Sequence, residues 1–464
     1  MGDPMAQDNQ LSSRHDERFQ GIYELAEAEM KRLPIPGAVL GILFDGAETI
    51  TPFGVTSLEN PLPVSEDTLF QIGSITKPFL ATAVMRLVEQ DRLELDAPIR
   101  TYLPDLKLAD ESVAARVTLR HLLTHTGGWV GDYFNDFGPG EDALAKMVAK
   151  LAELPQLTPL GEVWSYNNSG FYLAGRVIEA VTGSNFEAAI KELVLDPLGM
   201  HMSFFFTDDV ITHRVAIGHE VVDRKPKVAR PWAIGRAAHP AGGIICTVSD
   251  LFRFARFHMG DGTAPDGNRL LARASLEQMQ TPLFPSTGIS SIGLSWSVTM
   301  LDGIKMISHG GGTNGQSTYL RIVPSRQFAV TVFTNSDEGG LLCDEIANAA
   351  MKAFTGLSIP EAIPIDIPVD KLQVFVGRYD SASDICEIYL KDGGLVLQYI
   401  PKGGFPTPES PAPQAPPPVR MGIYAEDRVI TLDEPLKNVR GEFLRNPDGS
   451  IAWLRLGGRI HARL

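Results

Sequence analysis

The sequence predicts an α+β protein in which an antiparallel sheet is flanked by helices, an α-rich region is inserted, and a small antiparallel β-barrel follows on the C-terminal side. Three observations point there. Apolar residues recur at helical spacing near the N-terminus and again from 118 to about 200; short alternating apolar runs separated by turn residues return after 290; and a proline-punctuated stretch at 357–370 precedes a tail made of short strand patterns. At 464 residues the chain is about three times a usual domain length, which suits two or three compact units.

Taken in order, Phe19, Ile22, Leu25, Ala26 and Met30 lie at helical spacing within 12–32, and Pro34 and Pro36 stop that helix. The apolar run 37–44 reads as a strand, Asp45-Gly46 as its turn and ETITPFGVTS as its hairpin partner. A helix opens at Ser74 and runs to about Gln90, since Pro78 is tolerated only in a first helical turn. Breaks at Gly127-Gly128, Pro155 and Gly161 divide the mostly helical region 118–200. His121 and His125 stand four apart there on a possible helix; with no third ligand nearby, they read as structural. Ala241–Cys246 reads as a strand, and Ser249-Asp250 as the cap of the helix LFRFARFHM. The runs GLSWSVTM, KMISHGG, TYLRIVP and FAVTVFTN predict an antiparallel sheet, and a last helix spans about 341–355. Prolines at 360, 364 and 368 stiffen a linker, so one domain is expected at 12–356 and another at 371–464. In the tail, VFVGRYDS, CEIYLKDGGLVLQYI, RVITL, GEFLRNPDGSIAWLRLGG and RIHARL are short strands joined by Asp-Gly-type turns. The proline-rich FPTPESPAPQAPPPVR reads as a solvated loop, with the sharper alternative that 406–418 hangs over the catalytic domain and narrows its pocket.

Composition excludes several classes of function. Hydrophobic residues at 44% and charged residues at 21% are ordinary globular values. A net charge of −15 without a basic stripe argues against a nucleic-acid partner. Cys246, Cys343 and Cys386 are odd in number and far apart, so neither a disulfide framework nor a Cys-x-x-Cys site is expected. The N-terminus is polar, and no window is apolar for eighteen residues, so no membrane partner is expected. The chain as given reads as cytoplasmic, a removed signal peptide being the open alternative. No cofactor or metal is expected, and oligomeric state is not legible.

Ser74-Ile75-Thr76-Lys77 carries the chemistry. Residues three apart share a helix face, so the Lys77 amine reaches the Ser74 oxygen, and a helix start favours the negative charge that grows on a nucleophile. A serine hydrolase must also protonate its leaving group and stabilise an oxyanion. Tyr166-Asn167-Asn168 offers alternate loop positions that point Tyr166 and Asn168 into one cavity. Tyr133-Phe134-Asn135 repeats the pattern on a looser loop and reads as pocket lining at most. After the strand KMIS, His309-Gly310-Gly311-Gly312 allows close backbone approach and offers an N–H to an oxyanion. His-Glu-x-x-His and Gly-x-Ser-x-Gly are both absent.

Ser-x-x-Lys, then Tyr-x-Asn 92 residues later, then His-Gly-Gly downstream resembles the serine β-lactamase and penicillin-binding-protein superfamily, closest to its class C-like branch. That branch includes class C β-lactamases, D-aminopeptidases, D,D-carboxypeptidases and β-lactamase-like carboxylesterases. The likeness covers about 15–355, with IPGAVLGILFDG, FQIGSITKPF, LRHLLTHTGG, YNNSGFYLAG and PAGGIICTVSDLFRFA in support. The tail from 371 resembles the lipocalin-like β-barrel of some D-aminopeptidase and esterase relatives. The resemblance implies the β-lactamase/transpeptidase-like sheet. It also implies Ser74 as nucleophile, Lys77 sharing its proton network, Tyr166 as general base and later acid, and Asn168 orienting Lys77 and the acyl group. Ser74 and Gly312 N–H groups would form the oxyanion hole, Gly310 and Gly311 would border the substrate, and Trp129, Asp132, Tyr133 and Phe134 are candidates for the rim. One departure stands out: many relatives have Lys-Thr-Gly where this chain has His309-Gly310-Gly311. A histidine near its reference pKa of about 6.5 is mostly neutral at pH 7, so recognition of a β-lactam carboxylate is weakened. The expected activity is hydrolysis of small esters or amides through a Ser74 acyl-enzyme. D-aminopeptidase or D,D-peptidase action, weak β-lactamase action, and a non-catalytic scaffold are the alternatives.

Overall fold

The computed structural model describes residues 17–464. The first helix, Glu17–Arg32, lies within the expected span, and residues 12–16 fall outside the described part. The strand Gly37–Phe44 pairs through a tight turn with Ala47–Gly54 and on its other side with Phe328–Thr334. Gln316–Val323, Ile304–Thr313 and Ser297–Leu301 follow in the sheet, and two short strands that the sequence did not suggest, Ser290–Ile292 and Phe284–Pro285, complete eight.

Both faces of this sheet are covered, which is why the strand Gly37–Phe44 is apolar throughout rather than alternating. Val39 and Leu43 point into a large core shared with the helices Thr76–Glu89, Asn168–Thr182 and Val248–Met259. Ala38, Leu40 and Ile42 point the other way, onto Glu17–Arg32 and Gly340–Thr355. The period-two alternation of a strand thus serves two cores at once.

Three local expectations are corrected. Ser74 lies in a one-turn 3-10 helix, Gly73–Ile75, that leads into Thr76–Glu89. Only Ile245–Cys246 of 241–246 is strand; Pro240, in the first turn of a short helix, His239–Gly242, draws Ala241 and Gly242 into helical geometry. The helix that follows is capped by Thr247, whose hydroxyl accepts from the Asp250 N–H at 3.2 Å, so Ser249-Asp250 belongs to its first turn.

Past the last helix, the segment 357–368 runs beside a closed barrel: Ile365 N–H donates to the Ile423 carbonyl at 2.8 Å. The barrel comprises Gly377–Asp380, Asp384–Lys391, Gly394–Pro401, Val419–Ala425, Arg428–Thr431, Arg440–Arg445, Ile451–Leu456 and Arg459–Arg463. Tyr379 pairs with Arg463 to close it, and closure leaves no sheet edge. Leu395, Leu397, Val419, Met421 and Leu454 fill its interior. The last hairpin turns on Gly457-Gly458, both at positive φ (57° and 81°), as a two-residue turn of this hand requires. Among the described residues no helix is long and apolar enough to cross a membrane.

Candidate active site

The serine turn is held against the glycine strand by two close approaches. Gly73 has φ +51°, and a Cβ there would meet the Gly312 nitrogen and oxygen at 2.7 Å; a Cβ on Gly311 would sit 1.9 Å from the Ile72 carbonyl. Glycine at these positions lets the end of Ile304–Thr313 lie directly beside Ser74. Lys77 is fully buried, with Nζ 2.9 Å from Ser74 Oγ and donating to the Ala241 carbonyl at 2.7 Å. Burial, with the Arg459 charge adding to it, holds this amine well below the usual lysine range.

Tyr166 and Asn168 both line the cavity above Ser74, as alternation on their loop predicts. Asn167 turns the opposite way: its Oδ1 caps Asn168–Thr182 by accepting the Gly170 N–H at 2.7 Å, and its Nδ2 donates to the Trp129 carbonyl. Tyr166 lies 4.5 Å from the His125 ring in a stacked arrangement, and Lys77 Nζ is 4.9 Å from its ring centroid. Burial pushes the Tyr166 phenol well above its usual range, with hydrogen bonding to Ser74 acting in the opposite sense. Asn168 Nδ2 donates to Asp132 Oδ1 at 2.7 Å, so its amide engages that carboxylate rather than Lys77.

His309, Gly310, Gly311 and Gly312 line the same cavity. The His309 Nδ1–H donates to the Gly310 carbonyl at 2.6 Å, and burial pushes the ring's pKa down to about 3, so it is neutral at pH 7. His121 and His125 do not share a helix. His121 caps Leu119–Leu123 through Thr118, whereas His125 lies beyond it at φ +57°, with Nδ1 accepting the Asn167 N–H at 3.0 Å.

Two rim candidates are corrected. Trp129 is a core residue, 3% exposed, whose Nε1–H donates to Ser169 Oγ at 2.8 Å. Alternation along the loop sends Asp132 and Phe134 into the cavity and Tyr133 onto the main core, its hydroxyl accepting from Asn135 Nδ2. The cavity is about 1400 Å³ and continues between the sheet edge and the barrel. Of the proline-rich loop, Pro406 and Thr407 border it, next to Phe405, whose ring stands edge-on to Phe134 at 4.9 Å. The barrel contributes more deeply than its sequence signals: Gly457, Gly458 and Arg459 form part of the wall, and no spacing rule links them to Ser74.

Among the described residues one group brings three metal-type donors within 4.8 Å: Asp384, Cys386 and His461, inside the barrel. His461 uses both ring nitrogens there, Nε2 on Asp384 Oδ1 at 2.5 Å and Nδ1 on the Leu454 carbonyl at 3.2 Å, which makes it the partner of a buried carboxylate.

Comparison with known proteins agrees with this arrangement. Residues 23–351 match the Beta-lactamase family model. Over 350 residues, 72% of this chain and 91% of the relative, the sequence is 33% identical to penicillin-binding protein 4 of Amycolatopsis lactamdurans. Over 162 residues, 32% of this chain and 41% of the relative, it is 38% identical to esterase EstB of Burkholderia gladioli. The solved structure of SurE matches 96% of this chain and 99% of its own at TM-score 0.74 and 26% identity, and its structure with D-Leu does so at 0.73. A lysine-paired serine beneath a glycine strand, in a β-lactamase-like sheet-and-helix fold followed by a closed barrel, thus accompanies sequence identity across most of a relative's length, and the chain belongs to the beta-lactamase family of serine hydrolases.

Proposed function

We propose that the chain hydrolyses esters and amides in a carboxylesterase-like manner, through an acyl-enzyme on Ser74. The observation that carries this reading is the 2.9 Å approach of Lys77 Nζ to Ser74 Oγ, in a buried setting that lowers the amine's pKa and so favours its neutral form. A neutral amine accepts the serine proton; a phenol pushed up by burial keeps its own. Lys77 therefore takes the Ser74 proton as Oγ attacks the carbonyl carbon, and the Ser74 and Gly312 N–H groups hold the oxyanion. As the tetrahedral intermediate collapses, Tyr166 protonates the leaving group and recovers a proton from Lys77. Water then attacks the acyl carbon, giving its proton to Lys77, which returns it to Ser74 Oγ. The resemblance implied Tyr166 as the base; the opposed shifts of the two groups support Lys77 in that role.

A second reading, hydrolysis of D-amino-acid peptides, is favoured by cavity size. About 1400 Å³ exceeds the roughly 300–1,000 Å³ of ordinary small-ligand sites, and the whole-chain likeness to SurE with D-Leu points the same way. β-Lactam turnover is expected to be slow, because neutral His309 stands where relatives carry a lysine. Burst and steady-state hydrolysis of p-nitrophenyl acetate and butyrate, D-alanine p-nitroanilide and nitrocefin, by the intact protein and by Ser74→Ala, tests these readings. Activity lost in Ser74→Ala is expected, with ester or D-anilide preferred to nitrocefin. Silence on all substrates, or activity that survives the substitution, would overturn the assignment and favour a binding scaffold.

A further inference from the structure

Arg459 stands in the active site but belongs to the barrel. Its guanidinium forks onto Asp132, Nε to Oδ2 at 2.5 Å and Nη2 to Oδ1 at 3.2 Å, and Cζ lies 5.1 Å from the Tyr166 ring centroid. Asp132, its side chain 9% exposed, also accepts from Asn168, so cation, carboxylate and amide form one chain along the cavity wall. The hairpin that delivers Arg459 is tied to the tyrosine loop at consecutive residues. Arg455 Nη1 donates to the Trp164 carbonyl at 2.8 Å, the Ile460 N–H donates to Ser165 Oγ at 3.3 Å, and the Tyr166 N–H donates to the Gly458 carbonyl at 2.8 Å.

We infer that Arg459 is a positioning residue for the Lys77–Tyr166 couple: it holds the tyrosine ring and its loop, and brings to the couple the permanent positive charge that the glycine strand, with His309 in place of lysine, does not carry. The inference rests on the Ser74 acyl-enzyme reading and extends it to the barrel.

Electrostatics agree with the geometry. A cation beside Lys77 disfavours its protonated form, and one over Tyr166 favours release of the phenol proton; Asp132 opposes both effects and is the weaker of the two at each site. Asp384, held low in pKa by His461, faces Arg459 from the barrel as a second carboxylate; the remaining groups around the couple carry no charge at pH 7. His125 and His309 are held neutral by burial, and the phenols Tyr172 and, beside Arg459, Tyr399 are pushed upward. A charge-assisted fork onto the Asp132 carboxylate also fixes the guanidinium plane, which a lysine at the same place would not do.

The test is the pH profile of kcat/KM for p-nitrophenyl butyrate in the full-length chain, comparing the intact protein with Arg459→Met and Arg459→Lys. The expected result for Arg459→Met is a fall in kcat of about tenfold or more and an acid limb moved upward by about one pH unit, with KM little changed. Arg459→Lys should return most of the limb shift, because charge is restored, and less of the rate, because the fork is not. Thermal unfolding of each variant, with Arg420→Met in the exposed pair with Asp433 as a barrel control, separates a lost charge from a lost fold. An unmoved acid limb in folded Arg459→Met, or a loss confined to KM, would overturn the inference. If Ser74→Ala remains active, it is the acyl-enzyme reading that fails, whatever the Arg459 variants do.

Discussion

The backbone N–H of Tyr166 donates to the carbonyl of Gly458 at 2.8 Å, so a residue of the Ser74 cavity takes its main-chain partner from the barrel rather than from the helices and sheet around Ser74. Gly458 is confined to glycine by its φ of +81° and by Trp164, whose ring a Cβ would meet at 3.0 Å. Gly458→Val is therefore expected to displace Trp164 and Tyr166 together and to lower kcat about tenfold or more while the barrel stays folded. Steady-state kinetics alongside the circular dichroism of the barrel strands would check this; unchanged kcat would contradict it.

Gly73 offers a sharper lesion. Gly73→Ala adds a Cβ 2.7 Å from the Gly312 backbone at a positive φ, so the serine turn and the glycine strand must separate. The expected cost is about 10²–10³ in kcat, as for loss of an oxyanion donor, and about 1 kcal/mol in stability. A variant with a normal acyl burst would show that the two backbones do not cooperate at the oxyanion.

Trp129 is expected to report on stability and not on substrate. Trp129→Phe removes the Nε1–H donor to Ser169 Oγ inside the core and should cost about 1–3 kcal/mol with KM unchanged for every substrate. A change in KM without a change in melting temperature would return it to the cavity rim.

Buried histidines set the acid stability. Burial pushes the pKa of His258 down to about 3, below the unfolded value of about 6.5, so the unfolded chain binds this proton first. The stability is fully present above pH 6.5 and is lost as pH falls towards 3. At pH 4.5 the loss from this one group is roughly 2–3 kcal/mol. Among the described residues His258 Nδ1 has no partner and Nε2 meets only the Thr82 hydroxyl, at 3.3 Å, so His258→Phe should fold and show a shallower decline between pH 7.5 and 4.5 in urea denaturation. Parallel declines would remove this histidine from the acid response.

Phe405 tests the proline-rich loop. Phe405→Ala removes the edge-on contact with Phe134 and is expected to raise KM a few-fold for butyrate relative to acetate esters. Deleting 406–418 with no change for either substrate would leave the loop as a solvated excursion.

Much of the fold was legible because local rules govern it. Gly37–Phe44 is apolar on both faces and bounded by Pro36 and Asp45-Gly46, and Gly340–Thr355 ends on Gly356 at positive φ. Ser74 with Lys77, and Tyr166 with Asn168, are short-range spacings that a sequence displays directly. What it did not display is long-range. Nothing near Ala241 announces that a proline-led turn would carry its carbonyl to Lys77, and nothing near Gly457-Gly458 distinguishes that hairpin turn from the others in the barrel. Loop composition does not say which alternate positions face the core, so in sequence Trp129 and Tyr133 read as rim residues.

The hairpin that buttresses Tyr166 lies far along the chain from Ser74, and this orders events in time. During synthesis the nucleophile turn leaves the ribosome and packs while the Gly457-Gly458 turn has yet to be made. Until the final barrel strands pair, the tyrosine loop lacks Gly458 and Arg459, so the wall of the Ser74 cavity is completed by the last residues to be made.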